Sequence, residues 1–167
     1  MNKNKGFSSF LPYFFLTFII MLRFLLQDFL FFYDYTPFYE LIFIYSWSFI
    51  ARFEWNILVL VLLGLLRDLL FLDVFGISVI TFCVLGVLVN AQREKIENRG
   101  FLLAMVYFIV SLFIILVIRL FVFSFFVDSK LDAILVVSLK EMYFSVITYP
   151  LFFYIILFAV SRKGRKV

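Results

Sequence analysis

The chain has 167 residues, 66% of them hydrophobic, with a formal net charge of +4 and a mean hydropathy of +1.14. Soluble domains are only about 45–50% apolar, so this composition excludes a water-soluble globule. A transmembrane helix needs about 20 mostly apolar residues, which leaves room for about six crossings and little else. We therefore expect a single transmembrane domain over residues 1–167.

Six apolar segments are separated by islands of charge, and we predict an α-helix in each of them. The predicted spans are 10–31, 38–51, 56–71, 76–91, 101–126 and 142–160. They follow a short cytoplasmic N-terminus, 1–9, and precede a basic cytoplasmic tail, 161–167. No small-x-small cleavage site ends the first apolar run, so we interpret it as a transmembrane helix and not as a signal peptide.

Segment 127–141 has two interpretations. Its apolar residues are compatible with an interfacial helix lying on the outer membrane surface. The other interpretation is that the segment simply extends the last helix toward its N-terminus.

Basic residues lie mostly on one side of this topology. Cytoplasmic loops carry an excess of Lys and Arg, and this rule predicts that both termini are cytoplasmic. The basic residues then assigned to the inner side are Lys3, Lys5, Arg52, Arg93, Lys95, Arg99, Arg162, Lys163, Arg165 and Lys166. Only Lys130 and Lys140 are assigned to the outer side.

Residue types used in metal and redox sites are scarce. The chain has no histidine, and Cys83 is its only cysteine. Zinc, haem and iron–sulfur sites usually use Cys and His, so we expect no metal and no cofactor. Cys83 is interpreted as a small core residue.

Motifs for catalysis and nucleic-acid binding are also missing. We find no His-based triad, no Gly-x-Ser-x-Gly motif and no phosphate-binding glycine loop, so we do not expect an enzyme. The basic tail is short and lacks base-reading groups, so we expect contact with anionic lipid and not with nucleic acid.

Two adjacent charges, Arg67 and Asp68, interrupt the apolar stretch that begins at Gly64. A charge at the centre of a membrane helix costs about 2.5–3.5 kcal/mol or more, so the pair needs partners, water or a function. Neighbouring helix residues point about 100° apart, so each of the two needs its own partner. We predict that Asp68 pairs with Arg23 or Arg119, although the long side chain of Arg23 can alternatively reach the nearer interface.

Two functions remain open for this charged segment. The charges either lock the helix bundle, or they present a face that meets a partner protein or a ligand. Gly64 lies one turn before Asp68, and a small residue there allows a neighbouring helix to approach closely.

The segment from Gly64 to Gly86 resembles the signature of the rod shape-determining protein family MreD. In that family a transmembrane helix carries a glycine and then an Asp-Leu pair, a short outer turn ends in a bulky residue and glycine, and a second helix follows. The matching positions are Gly64, Asp68-Leu69-Leu70, Phe75-Gly76 and the helix to Val89. The chain departs from the family in having Phe71 and Leu72 in the turn, and Arg119 where relatives often carry an acidic or neutral residue.

The resemblance implies a non-enzymatic scaffold in the bacterial inner membrane. MreD-like proteins belong to the elongation complex of the cell wall, with the bitopic protein MreC, the actin-like MreB and the peptidoglycan synthases. We expect a partner helix to dock along a groove of small residues that includes Gly64 and Gly86. Asp68, Asp73 and Gly76 are expected near the outer surface, and the intramembrane polar network is completed by Arg23, Arg67 and Arg119.

A different function is compatible with the same architecture. The MreD fold is similar to that of the substrate-binding subunits of energy-coupling-factor vitamin transporters, which also have six helices. The alternative is therefore a vitamin-binding membrane subunit with a polar pocket open to the outside. A third interpretation is an assembly factor of another membrane complex.

The charge pattern generates a topology prediction. Fluorescent-protein fusions at either terminus are expected to fluoresce, because both ends are assigned to the cytoplasm, and alkaline phosphatase fusions there are expected to be inactive. A phosphatase fusion placed after Lys130 serves as the outward control and is expected to be active. Termini on opposite sides of the membrane would contradict the assignment.

Overall fold

The computed structural model of the chain describes residues 5–26, 37–71, 75–96, 100–126 and 131–164. Within these ranges the fold is all-helical, with six α-helices and no strand. The helices are α1 Lys5–Leu26, α2 Tyr39–Ala51, α3 Ile57–Phe71, α4 Ile77–Ile96, α5 Gly100–Phe126 and α6 Leu131–Gly164. The predicted fold class is therefore confirmed at the level of an all-α protein.

The helix bounds agree closely with the predicted spans in the middle of the chain. Helices α2, α3 and α5 begin within one residue of the prediction and end where it placed them, and α4 continues to Ile96. Helix α1 begins at Lys5, five residues before the predicted start at residue 10. Residues 27–31 of that span lie outside the described residues.

The last helix is longer than predicted. Helix α6 runs without interruption from Leu131 to Gly164 and contains Pro150. Segment 131–141 therefore extends this helix, and the alternative of a separate interfacial helix was wrong. Ser138, in this extension, and Ser145, farther along α6, are both buried. The extension therefore packs against the bundle, as the rest of α6 does.

Helix α2 is the centre of the bundle. It is apolar around most of its circumference, which is typical of a helix buried on all sides, and Leu41, Ile42, Ile44 and Tyr45 are almost fully buried. It packs against α1, α4 and α6, while α3–α4, α4–α5 and α5–α6 form the remaining main contacts. With 13 residues, α2 is only about 20 Å long.

The burial pattern differs from that of a soluble protein. Apolar side chains are widely exposed, as in α5, where Leu102, Phe113 and Phe125 are 77%, 58% and 70% exposed. Charged and hydroxyl side chains, among them Glu40 and Asp68, are buried beside the apolar core. Large exposed apolar surfaces mark contact with a membrane or with other proteins.

Two helices are long and apolar enough to cross a membrane. The apolar segments are Phe101–Phe125 in α5 and Leu135–Val160 in α6. Shorter apolar segments occur in three other helices: Phe10–Leu25, Tyr39–Ala51 and Ile77–Gln92.

Hydrogen bonds that involve aromatic side chains fix the connection between α2 and α3. Trp55 is buried, and its indole N–H donates to the carbonyl oxygen of Ile44 at 3.1 Å. The backbone N–H of Asn56 donates to the Tyr13 hydroxyl at 3.0 Å. The start of α3 is thereby fixed to both α1 and α2.

Gly64 and Gly86 are used within the chain. A Cβ atom at Gly64 would lie 2.6 Å from the Cα of Val79, so α3 and α4 approach backbone to backbone at this point. A Cβ atom at Gly86 would lie 2.5 Å from Cδ1 of Leu60. The expectation that these glycines line a groove for a partner helix was wrong, because α4 covers the first and a side chain of α3 covers the second.

The two glycines provide a matched stability test. Gly64→Ala is expected to lower the free energy of unfolding by about 1–3 kcal/mol, since backbone atoms cannot move aside without separating two helices. Gly86→Ala is expected to cost less, because the obstructing atom is the end of a flexible leucine. The measurement is thermal or denaturant unfolding of both variants in detergent, and equal stability of the two would contradict the close α3–α4 contact.

Candidate functional site

Five charged side chains from five helices form a row of ion pairs in which positive and negative groups alternate. The Arg23 guanidinium pairs with Glu40, its Nη1 lying 3.0 Å from Oε2 of the carboxylate, and with Glu141 at 3.4 Å. At one end, Nε of Arg67 lies 3.4 Å from Glu40. At the other, Arg119 lies 3.6 Å from Glu141. The order is therefore Arg67–Glu40–Arg23–Glu141–Arg119, which joins α3, α2, α1, α6 and α5.

The sixth helix joins the network through a hydroxyl group. Ser78 belongs to the first turn of α4, and its Oγ accepts a hydrogen bond from Nη1 of Arg67. Each of the six helices thus contributes one side chain to a single polar cluster, which we call the charged network. Its members are Arg23, Glu40, Arg67, Ser78, Arg119 and Glu141.

The charged network lies toward one end of the bundle. It draws on the C-terminal parts of α1, α3 and α5 and on the N-terminal parts of α2, α4 and α6. Consecutive helices therefore run in alternating directions. The same alternation assigns all six network residues to the outer side in the topology predicted from the basic residues.

Asp68 holds the turn between α3 and α4. Its carboxylate accepts hydrogen bonds from the backbone N–H of Gly76 at 2.8 Å and of Ser78 at 3.1 Å. Gly76 has a φ of +96°, a conformation that glycine adopts readily. The carboxylate therefore caps the N-terminus of α4, where unpaired amides and the helix dipole favour a negative charge.

The predicted pairing of Asp68 with Arg23 or Arg119 was wrong. Those arginines pair with Glu40 and Glu141 instead. A short aspartate near the end of α3 reaches the amides of the adjoining helix, while longer glutamates from α2 and α6 reach the guanidinium groups. The alternative that Arg23 only reaches toward an interface was also wrong.

Three residues of the charged network, Glu40, Ser78 and Glu141, were missed by the sequence reasoning. Glu40 is the only acidic residue in span 38–51, and its position in the first turn resembles an ordinary interfacial acid. It is nevertheless only 1% exposed. Glu141 lies in segment 127–141, just before the predicted span 142–160, and was not considered as a partner for an arginine. The available signal was charge balance, since three buried arginines require acidic partners.

Aromatic rings shield the guanidinium groups. The Phe71 ring lies 5.5 Å from the Arg23 guanidinium carbon and 5.4 Å from that of Arg67. The Phe38 ring lies 4.9 Å from that of Arg119. Cation–π contacts of this kind contribute most where water is excluded.

A small cavity opens beside the charged network, with space for about one water molecule. Its polar lining comes from Glu40, Arg67, Ser78, Thr81 and Arg119, and its apolar lining from Phe38, Leu41 and Phe82. Arg67 and Arg119, at the two ends of this row of ion pairs, thus line the same cavity.

Most of the predicted site residues come together at this end of the bundle. Arg23, Arg67 and Arg119 belong to the charged network, and Asp68 and Gly76 form the adjoining turn. Gly64 and Gly86 lie in helix contacts below it, and Asp73 lies outside the described residues. Among the residues whose placement is described, no group of three or more His, Cys, Asp or Glu side chains has the arrangement to hold a metal ion.

Comparisons of the chain with protein-family models, with curated proteins and with solved structures returned no match.

The charged network predicts an unequal cost of removing its two glutamates. Glu40→Gln is expected to lower the free energy of unfolding by about 3–5 kcal/mol, because it leaves two buried arginines without their shared carboxylate. Glu141→Gln is expected to cost less, since its contacts are longer. Unfolding of the two variants in detergent measures both changes in the free energy of unfolding.

The matched control for these variants is Glu54→Gln. Glu54 is exposed, and exposed ionic contacts contribute little, so its substitution is expected to change stability by at most about 1 kcal/mol. A Glu40→Gln variant as stable as Glu54→Gln would contradict a structural role for the network.

Proposed function

We propose that this chain is an MreD-like, non-enzymatic scaffold of the bacterial cell-wall elongation complex. In this proposal its six helices cross the inner membrane with both termini in the cytoplasm. The partners are an MreC-like bitopic protein, an MreB-like actin homologue and peptidoglycan synthases.

The alternating direction of the helices supports the six-span topology. Helices α2 and α3, with 13 and 15 residues, are about 20 and 22 Å long, which is shorter than a hydrocarbon core of about 30 Å. A membrane accommodates such short segments by local thinning. The apolar exposed faces of α1, α5 and α6 supply the surface that lipid requires.

The observation that carries the family assignment is the hydrogen bond from Gly76 to Asp68. The resemblance to MreD rests on the order glycine, Asp-Leu, bulky residue and glycine. In this chain the first glycine permits the close α3–α4 contact, the aspartate caps α4, and the second glycine supplies the positive φ of the turn. Gly64, Asp68 and Gly76 thus stabilise the same unit, which consists of α3, the turn and α4.

The intramembrane charges are engaged with one another, and this supports a scaffold with an apolar outer surface. A partner helix then contacts the exposed apolar faces and not the covered glycines. One such face is formed on α1 by Phe10, Phe14 and Phe18, which are all more than half exposed.

The vitamin-transporter alternative fits the site less well. Small-molecule pockets have volumes of about 300–1,000 Å³, whereas the cavity beside the charged network has space for about one water molecule. Its lining residues are also occupied in contacts between helices.

Co-purification tests the proposed function. The affinity-tagged chain, co-expressed with an MreC-like protein, is expected to retain that protein through detergent extraction. An unrelated bitopic protein of similar helix length serves as the control and is expected to be lost. Equal retention of both, or of neither, would contradict the scaffold role, and stabilisation by a vitamin would favour the alternative.

Substitution on the exposed face of α1 locates the contact. Phe14→Ala and Phe18→Ala together are expected to reduce retention of the MreC-like protein if it docks there, with Phe113→Ala and Phe121→Ala on α5 as the matched pair. Both pairs remove exposed side chains, so stability is expected to change little.

A further inference from the structure

We propose that the exposed face of α3 is a lipid-contact surface that selects a thin bilayer, so that lipids with short acyl chains are enriched on that side of the bundle. This inference rests on the six-span topology of the proposed function, but not on the scaffold role or on its partners. Two observations carry it: the apolar faces of the bundle have unequal lengths, and polar groups are fixed at the end of the short face.

The charged network supplies a common level from which the lengths of the helices are compared, because each helix contributes one member. Helix α3 extends about 6 Å beyond Arg67 on the outer side and about 15 Å on the inner side. Helix α5 extends about 10 Å beyond Arg119 on the outer side and about 28 Å on the inner side. The α3 side of the bundle is therefore shorter at both ends.

The exposed apolar residues show the same difference in length. On α3 they form one stripe, in which Leu58, Leu62 and Leu69 are 73%, 65% and 60% exposed, and it spans about 16 Å. On α5 the stripe runs from Leu102 to Phe125 and spans about 34 Å. Tilting fits a long helix to a hydrocarbon core of about 30 Å, but it shortens the reach of a short one. A bilayer of even thickness therefore cannot match both stripes.

Polar groups mark the inner end of the α3 stripe. Asn56 is exposed, and its side-chain Oδ1 accepts a hydrogen bond from the backbone N–H of Leu58 at 2.9 Å. The backbone N–H of Asn56 donates to the Tyr13 hydroxyl at 3.0 Å. These groups are held at the helix end and cannot extend toward a distant interface, so the headgroup region has to approach them.

Three responses are open to a short membrane span: the bilayer becomes thinner, flanking side chains reach toward the interface, or copies of the protein associate. The fixed polar groups at the start of α3 oppose the second response. Lipids with short chains form a thin layer without being compressed, and the cost of mismatch rises with each ångström. A mismatch of several ångströms therefore favours such lipids beside α3, and the experiment below distinguishes this response from association.

The experiment is lipid-selective quenching of a fluorophore on the full-length chain in vesicles. Bimane is attached at Leu62→Cys on α3 or at Phe113→Cys on α5, each combined with Cys83→Ala, which removes the only native thiol. The vesicles mix dioleoylphosphatidylcholine with a brominated phosphatidylcholine that has either myristoleoyl or oleoyl chains. Because the brominated lipid quenches the fluorophore that it contacts, the relative binding constant of the two chain lengths is obtained at each position.

The short-chain lipid is expected to bind beside the label at Leu62→Cys about threefold more tightly than the long-chain lipid. At Phe113→Cys the preference is expected to be absent or reversed. Equal constants at the two positions, or a long-chain preference on α3, would overturn the proposal. Weak quenching by both lipids on α3 alone would also overturn it, because a second copy of the chain would then cover this face.

Two further variants make a matched pair for the same measurement. Leu58 and Leu102 each lie in the first turn of their helix and are more than 70% exposed, so their substitution is expected to leave folding unchanged. Leu58→Gln shortens the apolar stripe of α3 and is expected to raise the short-chain preference there about twofold further. Leu102→Gln is expected to leave it unchanged, because the α5 stripe exceeds the hydrocarbon core. Equal effects of the two substitutions would contradict the proposal.

Failure of this proposal is distinguishable from failure of the proposed function. Absence of the lipid preference, with an MreC-like protein still retained in co-purification, would overturn the lipid-contact surface alone. A preference for short chains on α3, with no such retention, would support the lipid-contact surface and contradict only the scaffold role.

Discussion

The contact on which the rest of the structure depends is the Glu40 carboxylate between Arg23 and Arg67. Glu40 lies at the start of the central helix and is almost inaccessible. The two arginines come from α1 and α3, so one acidic group fixes two neighbouring helices to the core. Such a carboxylate is stable in an apolar interior only while both guanidinium groups remain in place.

From this contact the charged network extends to all six helices, and it accounts for the burial of charged side chains in the bundle. The charged side chains of the network pair with one another inside, and the exposed faces that remain for lipid or for partner helices are apolar. Tyr45 adds a second polar contact in the core, since its hydroxyl lies 3.2 Å from the carbonyl oxygen of Ala104 and 3.3 Å from Gln92. Polar contacts thus join the helices at two positions along the bundle. A small number of directional contacts determines how the helices pack together.

The sequence was sufficient to predict the helices but not the pairing of their charges. Periodicity and charge islands placed α2, α3 and α5 to within one residue, because an apolar run bounded by charges has few alternatives. The same rule began the last predicted span at residue 142, one residue after Glu141, because local hydropathy falls at Lys140-Glu141 although the helix continues. The role of Asp68 depends on the geometry of the α3–α4 turn, which brings α4 amides within 3.1 Å of its carboxylate. The role of Glu40 depends on which helix is central, and only the packed structure supplies that information.

The central claim is that the buried charges stabilise the bundle through one another. A double-mutant cycle between Arg23→Gln and Glu40→Gln, measured by unfolding in detergent, tests it most directly. If the pair acts as the structure indicates, the double variant will be more stable than the sum of the single effects predicts, with a coupling energy of about 1–3 kcal/mol. Additive effects, with a coupling energy near zero, would contradict the account.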